Sequence, residues 1–327
     1  MAIDLLNLQP TKISRDLSGY ITYLYGPGKI GKTTFASQMP GALILAFERG
    51  YNALPGVYAQ DVTSWADMKK ILRELKKDEI RDKFKSIIVD TIDIAAAACE
   101  KYIITAANVD SINQIPYGQG WTRVKRELED TFRAVTQMGY AVLFISHDKD
   151  KTFTRQDGTQ FNQTVPTLGT SYNEIIKDMV DIYGYAHTIT KDNESQRVLT
   201  LRSFDSSIDC GSRFRYMAPE IPFSYNDLVT ALNEAIDEEA KHTGEEFTTE
   251  ERKVSVKEEL DFDALMNEFN TLIKKFSSDA EKMKTYYAPR ITEIVERYLG
   301  KGKKISNATR DQVEQVSLIV FDLKNLE

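Results

Sequence analysis

The run GPGKIGKT at residues 26 to 33, set between a β-rich stretch and a helix-like stretch, constrains this chain more than any other feature. Glycines at 26, 28 and 31 let the backbone wrap phosphate oxygens with its N–H groups at the start of a helix. Lys32 has the reach to contact terminal phosphates, and the Thr33 hydroxyl is a Mg2+ ligand type. The expected nucleotide-binding residues are therefore Gly26, Pro27, Gly28, Lys29, Ile30, Gly31, Lys32, Thr33 and Thr34, with ATP and Mg2+ as the expected ligands. A plain glycine-rich turn is the alternative, and the flanking strand and helix patterns speak against it.

From Tyr20 to about Leu201 short β-rich runs alternate with helical patterns: YITYLY, ALILAF (42 to 47), SIIVD (86 to 90), AVLFIS (141 to 146) and VLTLRS (198 to 203). That alternation predicts an α/β fold with a mainly parallel sheet covered by helices. Trp65, Met68, Leu72 and Leu75 recur at helical spacing behind a cap at Ser64, and Val124, Leu128, Phe132 and Val135 form the core stripe of a helix over 121 to 137.

A phosphate loop needs a second carboxylate to hold Mg2+ through water, and Asp90 ends the apolar run SIIVD. Hydrolysis also needs a group that orients or deprotonates water, and Glu48 follows ALILAF directly. A strand-end surface charge is the plainer reading of Glu48, and a cap or turn residue that of Asp90.

The net charge of −7 over 327 residues is local. Residues 234 to 263 hold 12 acidic and 4 basic side chains, so the rest of the chain is near neutral, which neither favours nor excludes a nucleic-acid partner. With few large apolar residues, 234 to 260 reads as a solvated helix end and linker, leaving a core over 1–233 and a small helical bundle over 261–327. In that bundle the capping pair Thr309 and Gln312 opens a third helix. No apolar run approaches the ~20 residues of a membrane span. The N-terminus does not resemble a secretion signal, so cytoplasmic residence and no membrane partner are expected. Cys99 and Cys210, lacking metal-site spacing, read as buried free thiols.

The order GPGKIGKTTFA, ALILAFERGYNAL, SIIVDT and AVLFISH resembles the ATPase core of RecA-type recombinases. With YGQGW (117 to 121), SHDK (146 to 149) and GSRF (211 to 214), it is similar to the phage RecA-like ATPases associated with single-strand annealing, the Sak-type group, over about residues 10 to 232. The resemblance implies a RecA-like P-loop core in which Glu48 activates water. It also places His147, where RecA proteins carry glutamine, as the γ-phosphate sensor, and Arg202, at the end of RVLTLRS, as a residue completing a neighbouring subunit's site. A homo-oligomer follows if Arg202 acts in trans. A structural histidine and a surface arginine are the alternative readings.

The same resemblance aligns residues 148 to 170 with a DNA-binding loop. Lys149, Lys151 and Arg155 stand there beside Phe153 and Phe161, a mixture suited to single strands, and Asp157-Gly158 predicts a hairpin. Asp148, Asp150 and Asp157 offset the basic residues, which leaves a solvated hairpin as the alternative. Tyr117 and Trp121 are stacking candidates in a first loop over 108 to 121, and equally core candidates.

The expected function is an ATP-hydrolysing phage-type recombination protein that binds single-stranded DNA and promotes annealing or strand pairing, resident in the host cytoplasm. Its tail would dock a single-strand-binding or replication protein. A RecA-fold helicase or helicase loader, and a nucleotide switch acting only on proteins, are the two other readings.

Overall fold

The computed structural model describes residues 10, 12–191, 193–245, 248–249 and 260–326. Residues 1–9 of the N-terminus and residues 246–247 and 250–259 of the expected linker lie outside the described residues. The chain divides between Val256 and Lys257 into two compact units.

In the first unit the strands are β1 (Ile13–Ser14), β2 (Ile21–Tyr25), β3 (Ala42–Ala46), β4 (Tyr58–Asp61), β5 (Ser86–Asp90), β6 (Ala141–Ser146), β7 (Asp148–Thr154) and β8 (Gln160–Pro166). They continue as β9 (Ile182–Lys191), β10 (Glu194–Thr200), β11 (Gly211–Ser212), β12 (Glu220–Pro222) and β13 (Thr248–Thr249). The helices are α1 (Lys32–Ser37), α2 (Trp65–Glu74), α3 (Asp78–Lys83), α4 (Ile92–Ala106), α5 (Gln119–Gln137), α6 (Thr170–Met179) and α7 (Tyr225–Thr243).

Among the described residues the main sheet has the order β12-β10-β9-β2-β6-β5-β3-β4, with β11 beside β9. From β9 through β4 every neighbouring pair is parallel, and β10, β11 and β12 add an antiparallel edge. Strand periodicity assigns alternate side chains to two cores. Tyr23, Ile87, Val89, Val142 and Phe144 face α2, α4, α5 and α6, whereas Leu24, Ile88, Leu143 and Ile145 face α1 and α7. The expected α/β class with a mainly parallel sheet is what the molecule adopts.

Local chemistry sets the helix bounds. Ser64 Oγ accepts from the Asp67 N–H at 3.2 Å to start α2, and Ser224 Oγ accepts from the Asp227 N–H at 3.1 Å to start α7. Helix α7 stops where Gly244 takes φ 71°, a left-handed cap that costs glycine little.

Three expectations need correction. The last β-rich run begins at Glu194 and ends at Thr200, so Leu201–Ser203 lie beyond the strand; β10 pairs antiparallel with β9, and that hairpin pairing sets its length. The acidic segment is not only helix end and linker, because Thr248–Thr249 pair in parallel with Ile13–Ser14. Cys99 is fully buried, and burial pushes its thiol up to about 12, but Cys210 is only half-buried.

The second unit is helical: α8 (Phe262–Phe276), α9 (Ala280–Lys282), a π-turn over Met283–Tyr287, α10 (Ala288–Leu299) and α11 (Val313–Lys324). Phe269, Phe276, Ile294, Val316, Ile319 and Leu323 lie in its own apolar core. Thr309 and Gln312 form the capping box, opening one turn of 3-10 helix before α11. No helix among the described residues is long and apolar enough to cross a membrane.

Candidate functional site

Because β2, β6, β5 and β3 run parallel, their C-terminal ends share one sheet edge, the usual place for a ligand in such folds. The glycine loop follows β2, His147 follows β6, Asp90 closes β5 and Glu48 stands two residues past β3. Four segments distant in sequence thus meet at a cleft of about 410 Å3 lined by Gly28, Lys29, Gly31, Lys32, Thr33, Thr34, Glu48, Gly50, Asp90, Thr91 and His147.

The loop's glycines have separate reasons. Gly31 caps α1 at φ 110°, and a Cβ on Gly26 would stand 2.1 Å from the Ala186 carbonyl oxygen on β9. Lys32 is 6% exposed and donates to the Gly26 and Pro27 carbonyls at 2.6 and 2.9 Å, so its ammonium sits inside the curve of the loop. Burial draws its pKa below the usual lysine value, opposed first by Asp90. Ile30 points the other way, into the core between the sheet and α7.

Thr33 Oγ1 donates to Asp90 Oδ2 at 2.8 Å. Burial raises the Asp90 pKa against that hydrogen bond. A Cβ on Gly50 would lie 3.1 Å from Thr33 Oγ1 and 3.4 Å from Asp90 Oδ2, so the chain leaves open the space beside this pair. A hydroxyl and a carboxylate, both hard oxygen donors, next to such a space fit Mg2+, which takes few protein ligands and keeps waters and phosphate oxygens. Among the described residues there is no cluster of three or more His, Cys, Asp or Glu that suits a metal.

Glu48 is fixed through its backbone: the N–H groups of Phe47 and Glu48 donate to the Asp90 carbonyl at 2.8 and 3.0 Å. Its carboxylate Oε2 lies 3.4 Å from His147 Nε2, and both side chains are partly exposed at the mouth of the cleft.

His147 also begins the structure beyond the cleft. Strands β7 and β8 form the hairpin expected from Asp157-Gly158, with Gly158 at φ 84° and Asp157 accepting from the Thr159 N–H at 2.9 Å. The two feet are tied together, since the Thr167 N–H donates to the His147 carbonyl at 2.9 Å. Ser146 Oγ and Thr167 Oγ1 both donate to Asp93 Oδ1, at 3.0 and 2.6 Å. Asp93 lies in the first turn of α4, three residues after Asp90. A short polar strut therefore joins the Asp90 end of β5 to both feet of the hairpin. The hairpin also rests on the sheet through Tyr185 Oη, which donates to Asp148 at 3.0 Å, and Tyr25 Oη, 2.9 Å from the Thr164 carbonyl.

The two candidate strand-binding loops are brought near each other. Lys151 Nζ donates to Thr170 Oγ1 at the start of α6, and the Trp121 ring lies 6.4 Å from that of Tyr172 on the same helix. Lys151 stands 4.9 Å from the Phe153 ring, Arg155 stands 4.4 Å from the Phe161 ring, and those rings stack at 5.7 Å. Tyr117 is 97% exposed and Trp121 41%, so neither belongs to the core. Arg202 is exposed outside the cleft lining, with its guanidinium donating to the Arg215 carbonyl of its own chain at 2.9 Å.

Sequence reasoning missed Gly50, Asp93 and Arg197. Arg197 Nη1 donates to the Ile30 carbonyl at 3.2 Å and braces the phosphate loop from β10. Nothing local marks an arginine 167 residues away as a neighbour of the loop. Asp93 did carry a local signal, an acid in the first turn of a helix.

A phosphate-binding loop after β2, a carboxylate ending β5 and a glutamate beyond β3, aligned on one edge of a parallel sheet, define a P-loop NTPase core of RecA-like fold. Residues 18–214 match the AAA domain family, and the chain belongs to that family. The SPbeta prophage-derived uncharacterized protein YorG of Bacillus subtilis (strain 168) is similar to it, with 29% identity over 339 residues that span 100% of this chain and 99% of that protein. The crystal structure of the KaiC-like protein PH0186 from Pyrococcus horikoshii OT3 aligns with 64% of this chain and 88% of its own, at 16% identity and a TM-score of 0.38.

Proposed function

We propose that the protein hydrolyses ATP with Mg2+ and uses the nucleotide state to control a single-stranded-DNA-binding hairpin, in the service of phage-type annealing or strand pairing. The observation that carries this reading is the double attachment of His147. Its ring faces Glu48 at 3.4 Å, while its backbone carbonyl holds the foot of the hairpin.

In this reading the loop N–H groups and Lys32 bind the phosphates, and Thr33 and Asp90 hold Mg2+. Bound there, Mg2+ neutralises phosphate charge and orients the terminal phosphoryl group. Glu48 orients the attacking water and takes its proton. A change in the Glu48–His147 contact passes to the hairpin, because His147, Ser146, Thr167 and Asp93 form one bonded unit. Order imposed on a segment by contacts around a terminal phosphate is an established way for nucleotide state to act at a distance.

Lys149, Lys151 and Arg155, interleaved with Phe153 and Phe161, supply the cations and ring faces that a single strand needs. Arg202 reaches a neighbouring subunit's site in an oligomer, and the helical unit docks a single-strand-binding or replication protein. The prophage origin of YorG supports a phage source for this chain, and with it residence in the host cytoplasm.

The test is the binding of labelled single strands with ATP and Mg2+ across a salt series. Affinity should fall several-fold as salt rises from about 50 to 200 mM, because phosphate contacts release counterions. Absence of binding at low salt would leave a nucleotide switch that acts on proteins, and ATP-fuelled unwinding of duplex would point to a helicase.

A further inference from the structure

The hairpin sequence DKDKTFT alternates, and the paired register turns that alternation into two unlike faces. One face carries Lys149, Lys151 and Phe153, opposite Val165, Gln163 and Phe161. The other carries Asp148, Asp150 and Thr152, with Asp150 accepting from Thr164 Oγ1 at 3.0 Å and Asn162 accepting from Thr152 Oγ1 at 2.8 Å. Asp148 and Asp150, two of the three acids that offset the lysines in a linear count, are therefore on the opposite side of the hairpin, and Asp157 sits in its turn.

The lysine face is turned toward α6. Between them lies a groove of about 190 Å3, with Lys149, Lys151 and Phe153 on the hairpin wall and Thr170, Asn173 and Glu174 on the helix wall. Asn173 is only 8% exposed, and its carboxamide oxygen is buried without a hydrogen-bond partner. A buried amide left unpaired is unfavourable, and Asn173 belongs to the groove's helix wall, so its oxygen suits a ligand whose N–H donor reaches it there. An amide pairs donor and acceptor side by side, as does the Watson–Crick edge of an unstacked base.

We infer that this groove seats one unstacked base of a single strand, its ring beside Phe153, its edge on Asn173, and its flanking phosphates on Lys149 and Lys151. The inference rests on the strand-binding reading above and adds where a base goes. The two lysines bond to neutral oxygens, the Thr167 carbonyl and the Thr170 hydroxyl, the second of them in the groove wall. Lys177 is instead committed to Asp209, at 2.6 and 2.9 Å. Glu174, an exposed carboxylate on the helix wall, opposes an anion beside it, so an uncharged ring suits that wall better than a phosphate.

The experiment measures full-length protein with ATP and Mg2+ binding to a labelled oligodeoxynucleotide and to the same strand made abasic. The wild type binds the intact strand about 10-fold more tightly or better, as base stacking and edge contacts require. Asn173→Ser and, on the hairpin, Phe153→Ala each reduce that preference to about 2-fold or less while the salt dependence of binding persists, because the phosphate contacts remain. Thermal melts establish that each variant is folded, and the hairpin variant lies outside the cores should the helix variant unfold. A wild type that binds both strands equally, or an Asn173→Ser protein with its preference intact, overturns the base seat and leaves strand binding standing. No salt-sensitive binding of either strand overturns both readings. A free deoxynucleoside monophosphate that displaces the intact strand at comparable concentration would assign the groove to a mononucleotide instead.

Discussion

Glu48 and Asp90 are both carboxylates at the cleft, and their surroundings separate their tasks. Asp90 is 4% exposed and bonded to Thr33, a setting for an ion held through a hydroxyl and a carboxylate together. Glu48 is partly exposed, anchored by its backbone and faced by a histidine, a setting for a group that must reach water. Glu48→Gln keeps size and position but removes the carboxylate proposed as the base. The expected result is nucleotide affinity within about 2-fold of wild type and turnover lowered by roughly 10²–10⁴, the usual contribution of a positioned acid or base. Steady-state hydrolysis and fluorescent-nucleotide binding measure the two halves, and normal turnover removes Glu48 from the chemistry.

The strut through Asp93 belongs to β6, α4 and the hairpin together. Asp93→Ala strips two hydroxyl groups of their shared acceptor, leaves them the His147 carbonyl at 3.1 and 3.4 Å, and should cost about 1 kcal/mol, the net worth of an ordinary hydrogen bond. Hydrogen exchange localises the effect: amides over 148–166 should lose protection while α1 and the phosphate loop keep theirs. Uniform exchange across both regions would show that the strut does not hold the hairpin.

How much of this was legible beforehand follows from the range of the interactions. The phosphate loop, Ser64 cap, α5 stripe and Asp157-Gly158 turn are local patterns, and each appears where the pattern put it. The sequence reading did not find β9, because its YGYAHTIT mixes glycine and histidine into a strand stabilised by pairing on both sides. The same pairing placed Arg202 beyond a strand end rather than on it. Hairpin charge looked balanced because a linear count ignores which face each residue takes. Arg197 at the phosphate loop and Asn173 under the hairpin depend on contacts that no local pattern records.

Each of the two compact units has its own apolar core. The helical one is small, and the ten side chains buried in its core among the described residues, such as Phe269, Ile319 and Leu323, support at most a few kcal/mol of stability. Residues 257–327 expressed alone should still be helical and melt cooperatively by circular dichroism; a non-cooperative melt would show that this unit needs the rest of the chain. The ATPase unit, in contrast, contains every group assigned to phosphate, Mg2+, water and strand, so nucleotide chemistry and strand binding should be coupled within it. The direct measurement is ATP turnover with and without single-stranded DNA, in the wild type and in His147→Ala. Single strands should raise wild-type turnover about 10-fold or more, and His147→Ala should bind the strand yet show no rise. Turnover indifferent to single strands in the wild type, or a full rise in His147→Ala, would contradict a nucleotide site that acts through the hairpin.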